Sequence, residues 1–340
     1  MRKISISLRI VVVALLVLVL ASSLINMALL RTNNILQQKQ TLTNTCNIDA
    51  TSSNYTLPSS DIAWLNVDVF LEKQKETAAT YDDLKRSLSF IIGSTRGQFA
   101  LYYEDLTTGA SIGINEQEEF VPVSLLKVPL MIATLKSVET GSVSLDQTVT
   151  LQKEDIDSNS GVLWKQGAGY QITVKDLLIN LIQHSDNTAV YALSRHVVTD
   201  EMVAESRATL GLNSTSGAND SNNITPKEYS DMLRGLYFSN YLRKPFSELA
   251  LTIMLNTDYN SQLPAGVPKN IQVAHKIGVY TTEGYYHDCG IIYAPGKPYI
   301  LCVMSKNTDA VEADKVISQI SRIVYDYVTT NNTNSTVVTK

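Results

Sequence analysis

The stretch Phe120-Val-Pro-Val-Ser-Leu-Leu-Lys-Val-Pro129 decides how this chain is read. Ser124 and Lys127 stand three residues apart within it. On a helix that spacing puts both side chains on one face, about one turn apart. A helix is expected from about Ser124 to Glu139, closed by Gly141. A serine at a helix start has its hydroxyl beside free backbone N–H groups and the positive end of the helix dipole. A neutral lysine amine on the same face can take the serine proton and make the hydroxyl a nucleophile. Alone the pattern is weak, because roughly one Ser-x-x-Lys arises by chance in a chain of this length.

Two further stretches carry chemistry. Ser185-Asp-Asn187 lies between segments that read as helices, Leu177 to Ile182 and Thr188 to Val198. A hydroxyl there can relay a proton to a leaving nitrogen, and the asparagine amide can hold a substrate carbonyl. Taken alone, the triplet reads as an ordinary helix N-cap. His275-Lys-Ile-Gly278 follows the alternating run Ile271-Gln-Val-Ala274 and precedes Val279-Tyr280, so it reads as a strand. A lysine on it can attract an anionic substrate group. The adjacent glycine admits substrate to the backbone, and the following N–H can serve an oxyanion hole. The plainer reading is a surface lysine on an edge strand.

In this order the three motifs resemble the penicillin-recognising serine enzymes, most closely the class A β-lactamases. The similarity runs from about Ala100 to Val328. It includes Ser160-Gly161, Ser185-Asp-Asn-Thr-Ala189, and Leu263-Pro-Ala-Gly-Val267 just ahead of Val273-Ala-His-Lys-Ile-Gly278. The resemblance implies an α+β fold of the β-lactamase/transpeptidase type, in which N- and C-terminal segments form one antiparallel sheet and a helical lobe is inserted between them. It implies that Ser124 attacks an amide, Lys127 is a candidate base, and Ser185 hands a proton to the leaving nitrogen. Asn187 would hold the substrate side chain, Lys276 would supply electrostatic attraction, and Gly278 would lie against the substrate. The N–H groups of Ser124 and Val279 would form the oxyanion hole, and Asp186 would be structural. Like-charge repulsion from Lys276 would help to keep Lys127 neutral. The implied substrate is a β-lactam or a cell-wall peptide, with no metal or organic cofactor.

Two departures from that family pattern stand out. Its lysine-threonine-glycine or lysine-serine-glycine triad is Lys276-Ile277-Gly278 here. Isoleucine cannot supply the hydroxyl that helps bind a substrate carboxylate, and losing a hydrogen bond to a charged group costs about 1.5–3 kcal/mol. Class A enzymes also deacylate with a glutamate on an omega loop. The corresponding stretch, Gly211 to Ile224, contains no glutamate, and Asp220 is its only carboxylate. Without a positioned base the ester at Ser124 should be long-lived. Three readings stay open: a slow β-lactamase, a D-alanyl-D-alanine carboxypeptidase or related cell-wall peptidase, and a binding module that has lost turnover.

Outward from the motifs, Asp83 to Ile92 reads as a helix and Gly97 to Tyr103 as a strand, with a turn at Asp105-Leu-Thr-Thr-Gly109. Thr225-Pro-Lys-Glu228 is a capping signature. Strands are expected at Tyr285 to Tyr293 and Tyr299 to Ser305, and a last helix from Ala310 to Val328. If Pro295-Gly296 is a two-residue turn, Cys289 and Cys302 fall opposite each other. A cross-strand disulfide and a pair of buried free thiols are both compatible with that register.

The N-terminus carries Arg2, Lys3 and Arg9, then an uncharged apolar run from Ile10 to Leu30. That run is about 21 residues, or about 32 Å as a helix, enough for a bilayer core. The charge bias predicts a single-pass anchor at 10–30, with residues 1–9 cytoplasmic and the rest outside. A cleaved signal peptide is the rival reading, with a weak site at Ala21-Ser-Ser23. Residues 31–60 read as a polar tether, 61–330 as the hydrolase domain, and 331–340 as a disordered tail. Cys46, in the tether, is either a link between two chains or an incidental thiol.

The 340 residues carry a net charge of −5 with no basic block beyond the N-terminus, which argues against a nucleic-acid partner. Three cysteines without a CxxC pair argue against structural zinc. His184, His196, His275 and His287 lack ligand spacing and read as surface or packing residues.

Overall fold

The computed structural model describes residues 81–212 and 223–330. The expected anchor, tether, Cys46 and tail lie outside the described residues, as does Asp220. Among the described residues no helix is long and apolar enough to cross a membrane.

Chain order explains the layers. A first helix, α1 (Asp82–Gly93), leads into β1 (Gln98–Asp105) and β2 (Ser111–Ile114). The helical lobe follows: α2 (Lys127–Glu139), a small hairpin β3 (Thr148–Thr150) and β4 (Gln171–Thr173), then α3 (Val174–Gln183), α4 (Asn187–His196), α5 (Asp200–Thr209), α6 (Pro226–Tyr237) and α7 (Lys244–Met254). The chain then returns through β5 (Val273–Tyr280), β6 (Tyr285–Ile292) and β7 (Tyr299–Lys306) to α8 (Ala310–Thr330). The main sheet has the order β2-β1-β7-β6-β5, antiparallel at every pairing. First and last strands are thus neighbours through β1 and β7, and β5 is an outer edge beside the helical lobe.

Sheet residues alternate between two cores, because successive side chains leave a strand on opposite faces. Phe99, Leu101 and Tyr103 of β1, with Tyr299, Leu301 and Val303 of β7, pack against α1 and α8. Ala100, Ile300, Cys302 and Met304 face the helical lobe. With both faces covered, the strands read as continuous apolar runs. α8 meets its face with Ala313, Val316, Ile317, Ile320 and Val324, a helical stripe. α2 is buried without a break from Lys127 to Leu135, as befits a helix enclosed by its neighbours.

The capping signature holds. The Thr225 hydroxyl accepts from the Glu228 N–H at 3.1 Å, and the Glu228 carboxylate accepts from the Thr225 N–H at 2.8 Å. The helix expected from Ser124 starts later. Val123–Leu126 form a 3₁₀ turn, and α2 begins at Lys127. Pro129 is the reason. In an α-helix from Ser124 it would sit past the first turn, where its missing N–H would strand the Leu125 carbonyl. Starting at Lys127 puts Pro129 in the first turn, where no intrahelical donor is required. The Leu125 carbonyl accepts from the Tyr229 phenol at 3.3 Å instead.

Cys289 and Cys302 stand opposite each other and are joined by a disulfide, both wholly buried. The connecting loop is longer than a two-residue hairpin. A reverse turn closes it, with the Lys297 N–H donating to the Ala294 carbonyl at 3.0 Å. Because the loop is symmetric about Pro295-Gly296, the cysteine register is the one a tight turn would give. Denaturing intact-mass measurement with and without reductant is expected to differ by about 2 Da, and Cys302→Ala is expected to lower unfolding free energy by about 2–4 kcal/mol.

Candidate active site

The turn that carries Ser124 is held from several directions. Phe120 and Ile224 exchange backbone hydrogen bonds at 2.9 and 3.0 Å, which pins the chain entering the turn. The imidazole of buried His287, on β6, donates from Nε2 to the Val121 carbonyl at 2.9 Å and accepts at Nδ1 from the Ser305 N–H at 3.1 Å. On β5, Gly278 lies so close that a Cβ there would stand 2.8 Å from the Pro122 carbonyl. Only glycine lets strand and turn approach this far. Val123 has φ +51°, a rare conformation for a β-branched residue, immediately before Ser124.

Lys127 points back along its helix into a ring of oxygens. Its Nζ lies 3.2 Å from Ser124 Oγ, 2.6 Å from the Ser185 carbonyl, 3.2 Å from Ser185 Oγ and 2.8 Å from Asn187 Oδ1. Burial pushes its pKa down to about 8, partly offset by the negative charges of Asp186 and Asp157. The cause is desolvation. The expected repulsion from Lys276 is felt by Lys276 itself, whose pKa is lowered well below the ordinary value by burial and then by Lys127.

The Ser185-Asp-Asn187 triplet is both a cap and a site. Ser185 is buried at φ +51°. Asp186 caps α4 through Ala189 N–H at 3.0 Å and accepts from the N–H groups of Val162 and Leu163 at 2.6 and 2.7 Å, the structural role expected of it. Gly161 permits that clamp, since a Cβ there would lie 2.1 Å from the Asp186 carboxylate. Ser160 Oγ donates to the Ser185 carbonyl at 2.7 Å. Lys276, buried on β5, donates to Ser185 Oγ at 2.9 Å and to the Ile277 carbonyl at 3.1 Å. Its neighbour His275 pairs with buried Asp288 at 2.7 Å, so His275 is a packing histidine, anchored rather than catalytic.

The expected residues therefore converge. Ser124, Lys127, Asn187 and Val279 line one cavity of about 700 Å³, together with Ser160 and Tyr280. Ser185 and Lys276 sit behind it on hydrogen bonds to one another. Among the described residues no group of three or more His, Cys, Asp or Glu side chains is placed to hold a metal ion. Two residues without a local signature also belong here. Asp157 accepts from Asn187 Nδ2 at 3.2 Å. Tyr259 lays its ring 5.6 Å from Lys276 Nζ and donates to the His184 carbonyl at 3.2 Å.

A family model, the β-lactamase enzyme family, matches residues 83–328. This chain belongs to that family. It is a serine hydrolase of the class A, penicillin-recognising kind. A β-lactamase of Bacillus licheniformis is 26% identical over 272 residues, covering 74% of this chain and 85% of the relative. The solved structure of PBP-A superposes with a TM-score of 0.67 at 25% identity, covering 73% of this chain and 97% of PBP-A. An ancestral class A β-lactamase gives 0.66 at 25% identity, covering 72% and 99%. A mutant of PBP-A solved as an acyl-enzyme complex with penicillin G matches the same fold at 24% identity, with a TM-score of 0.67.

In this β-lactamase-family site, His287 ties the nucleophile turn to the sheet only while neutral, because Nδ1 must accept. Burial holds its pKa at about 4 against an ordinary 6.5. The unfolded chain therefore takes up this proton at higher pH than the folded one. Stability falls as pH drops through about 6.5 and levels off below about 4, by about 3 kcal/mol in total. Urea unfolding at pH 7 and pH 4 is expected to lose that component of the pH dependence in His287→Gln.

Proposed function

We propose that this hydrolase opens a β-lactam or related amide through an acyl-enzyme on Ser124, and that the ester turns over slowly. The observation that carries the reading is Lys127. It is a buried amine with its pKa depressed to about 8, at 3.2 Å from Ser124 Oγ. The neutral amine takes the hydroxyl proton as Ser124 Oγ attacks the carbonyl carbon. Oxyanion charge falls to the N–H groups of Ser124 and Val279, on the nucleophile turn and the edge strand β5. The scissile C–N bond then breaks as the nitrogen takes a proton from Ser185, which is replenished through its neighbours Lys127 and Lys276. Asn187 holds the substrate side chain, and Gly278 gives it access to the strand backbone. The penicillin G acyl-enzyme of the PBP-A mutant is in keeping with this first half.

The second half lacks a part. The stretch 211–224 has no glutamate, and the hydrogen-bond partners of Lys127 among the described residues include no carboxylate. That absence favours a second reading, a D-alanyl-D-alanine carboxypeptidase-type peptidase acting on cell-wall peptides with the same nucleophile. Both readings place the domain outside the cytoplasm, tethered by a single anchor at Ile10 to Leu30. A buried disulfide suits such an oxidising location.

Intact mass of the full chain incubated with a reporter penicillin is expected to show an adduct that persists and is absent in Ser124→Ala. Rapid loss of the adduct with product release would instead mean a competent β-lactamase, and no adduct on the wild type would overturn the acylation reading. The acylation rate is expected to rise with pH to a midpoint near 8, set by Lys127. In Lys127→Ala it should fall by about 10²–10⁴-fold.

A further inference from the structure

A neutral lysine amine has two N–H bonds and one lone pair. Around Lys127, two of the oxygens can only accept: the Ser185 carbonyl at 2.6 Å and Asn187 Oδ1 at 2.8 Å. They use both N–H bonds. The lone pair is left for a hydroxyl, and two lie 3.2 Å away: Ser124 Oγ and Ser185 Oγ, the latter also accepting from Lys276 at 2.9 Å. This arithmetic depends on which end of the Asn187 amide faces the lysine. If the amide turned over, its NH₂ would compete for the lone pair, and one amine hydrogen would be left to Ser124.

The far side of that amide is decided by Asp157. An ionised carboxylate has no hydrogen to give, so only the NH₂ end of Asn187 can face it. Asn187 Nδ2 donates to Asp157 Oδ1 at 3.2 Å. Asp157 is itself fixed. The Asn159 N–H donates to Oδ1 at 2.7 Å and Asn159 Nδ2 to Oδ2 at 3.2 Å. Its backbone N–H donates to the Thr188 hydroxyl at 3.0 Å, and its carbonyl accepts from that hydroxyl at 3.2 Å. Carboxylate and amide are therefore locked to the same first turn of α4.

We propose that Asp157 is a positioning residue for the nucleophile. It holds the Asn187 amide so that its oxygen takes one hydrogen of Lys127, leaving the lysine lone pair to receive the Ser124 proton. The proposal rests on acylation at Ser124, but its geometry is read at Lys127. A second consequence follows from charge. The charged groups around Lys127 are Asp186 at the N-cap of α4, Asp157 on the loop before it and Lys276 on β5. Asp157 favours the protonated amine. Removing its charge moves the lysine midpoint to lower pH, while removing its acceptor frees the amide.

The test separates these effects and keeps them apart from acylation itself. The Lys127 side-chain resonance of the full chain is followed by NMR with ¹³C-labelled lysine, assigned through Lys127→Arg. Its midpoint is expected to move to lower pH in Asp157→Asn and in Asp157→Ala, and to stay near the wild-type value in Asp157→Glu. Acylation by a reporter penicillin, measured on the high-pH plateau, is expected to drop at least about tenfold in Asp157→Ala. In Asp157→Asn, which keeps an acceptor, it should drop far less. Midpoints unchanged in both neutral variants, with plateaus equal to the wild type, would overturn the proposal. Should Asp157→Ala fail to fold by circular dichroism, the titration and plateau of Asp157→Asn against Asp157→Glu decide alone. Should the wild-type chain never acylate, the functional reading falls, and the Lys127 midpoints still answer for Asp157.

Discussion

The buried amine of Lys127 is the constraint around which the site is organised. Taking a lysine out of water disfavours its charged form, and that penalty lowers the Lys127 pKa to about 8. Yet an amine buried without partners would destabilise the fold. Ser124, Ser185 and Asn187 resolve the conflict by surrounding it with oxygens. Those three residues come from two sequence-distant stretches, so the lobe must bring α2 and α4 together. Asp186 serves that end twice, by capping α4 and by drawing the Val162–Leu163 backbone onto it. Asp186 also opposes the lysine's loss of charge.

The sheet contributes an edge rather than a core residue. β5 is outermost, with one side fixed to β6 and the other unpaired in the sheet. Edge strands normally invite unwanted pairing. Here the edge faces the nucleophile turn, and Gly278 sets how near the two can come. Lys276 reaches from this strand to Ser185, joining sheet and helical lobe through a single hydroxyl. Tyr259 lays its ring against the Lys276 amine, and burial raises its phenol pKa while its hydroxyl donates to the His184 carbonyl.

How much of this was legible in the sequence depends on how local each signal is. Ser124 with Lys127, Ser185 with Asn187, and Lys276 with Gly278 each sit inside a short motif, but each motif alone has a plainer reading, and it is their joint order and the family resemblance it carries that singles these residues out. The cysteine pair was legible because a hairpin symmetric about Pro295-Gly296 has one register whatever its loop length. The capping box at Thr225 was equally local. The start of α2 was less so, because it depends on where the Leu125 carbonyl finds a donor once Pro129 supplies none, and that donor, Tyr229, is distant in sequence. Asp157, Tyr259 and the bonds of His287 lie in loops or across strands, with partners about 20 to 170 residues away in sequence. No periodicity announces such contacts.

The two hydroxyls of the site share an uncommon backbone. Val123, just before the nucleophile, and Ser185 itself both lie in the left-handed region, at φ +51° each. Such residues cost on the order of 1–3 kcal/mol apiece and persist only where the surroundings over-determine them. The surroundings here are identifiable. The Phe120–Ile224 bridge and His287 hold the chain before Val123, while Ser160 Oγ and Lys127 Nζ both donate to the Ser185 carbonyl. Lys127 therefore touches both the backbone and the side chain of Ser185. Its bond to the Ser185 carbonyl helps to hold the strained serine whose hydroxyl it also touches. The amine of Lys127, the Ser185 hydroxyl and the left-handed backbone of Ser185 are thus linked through one set of hydrogen bonds.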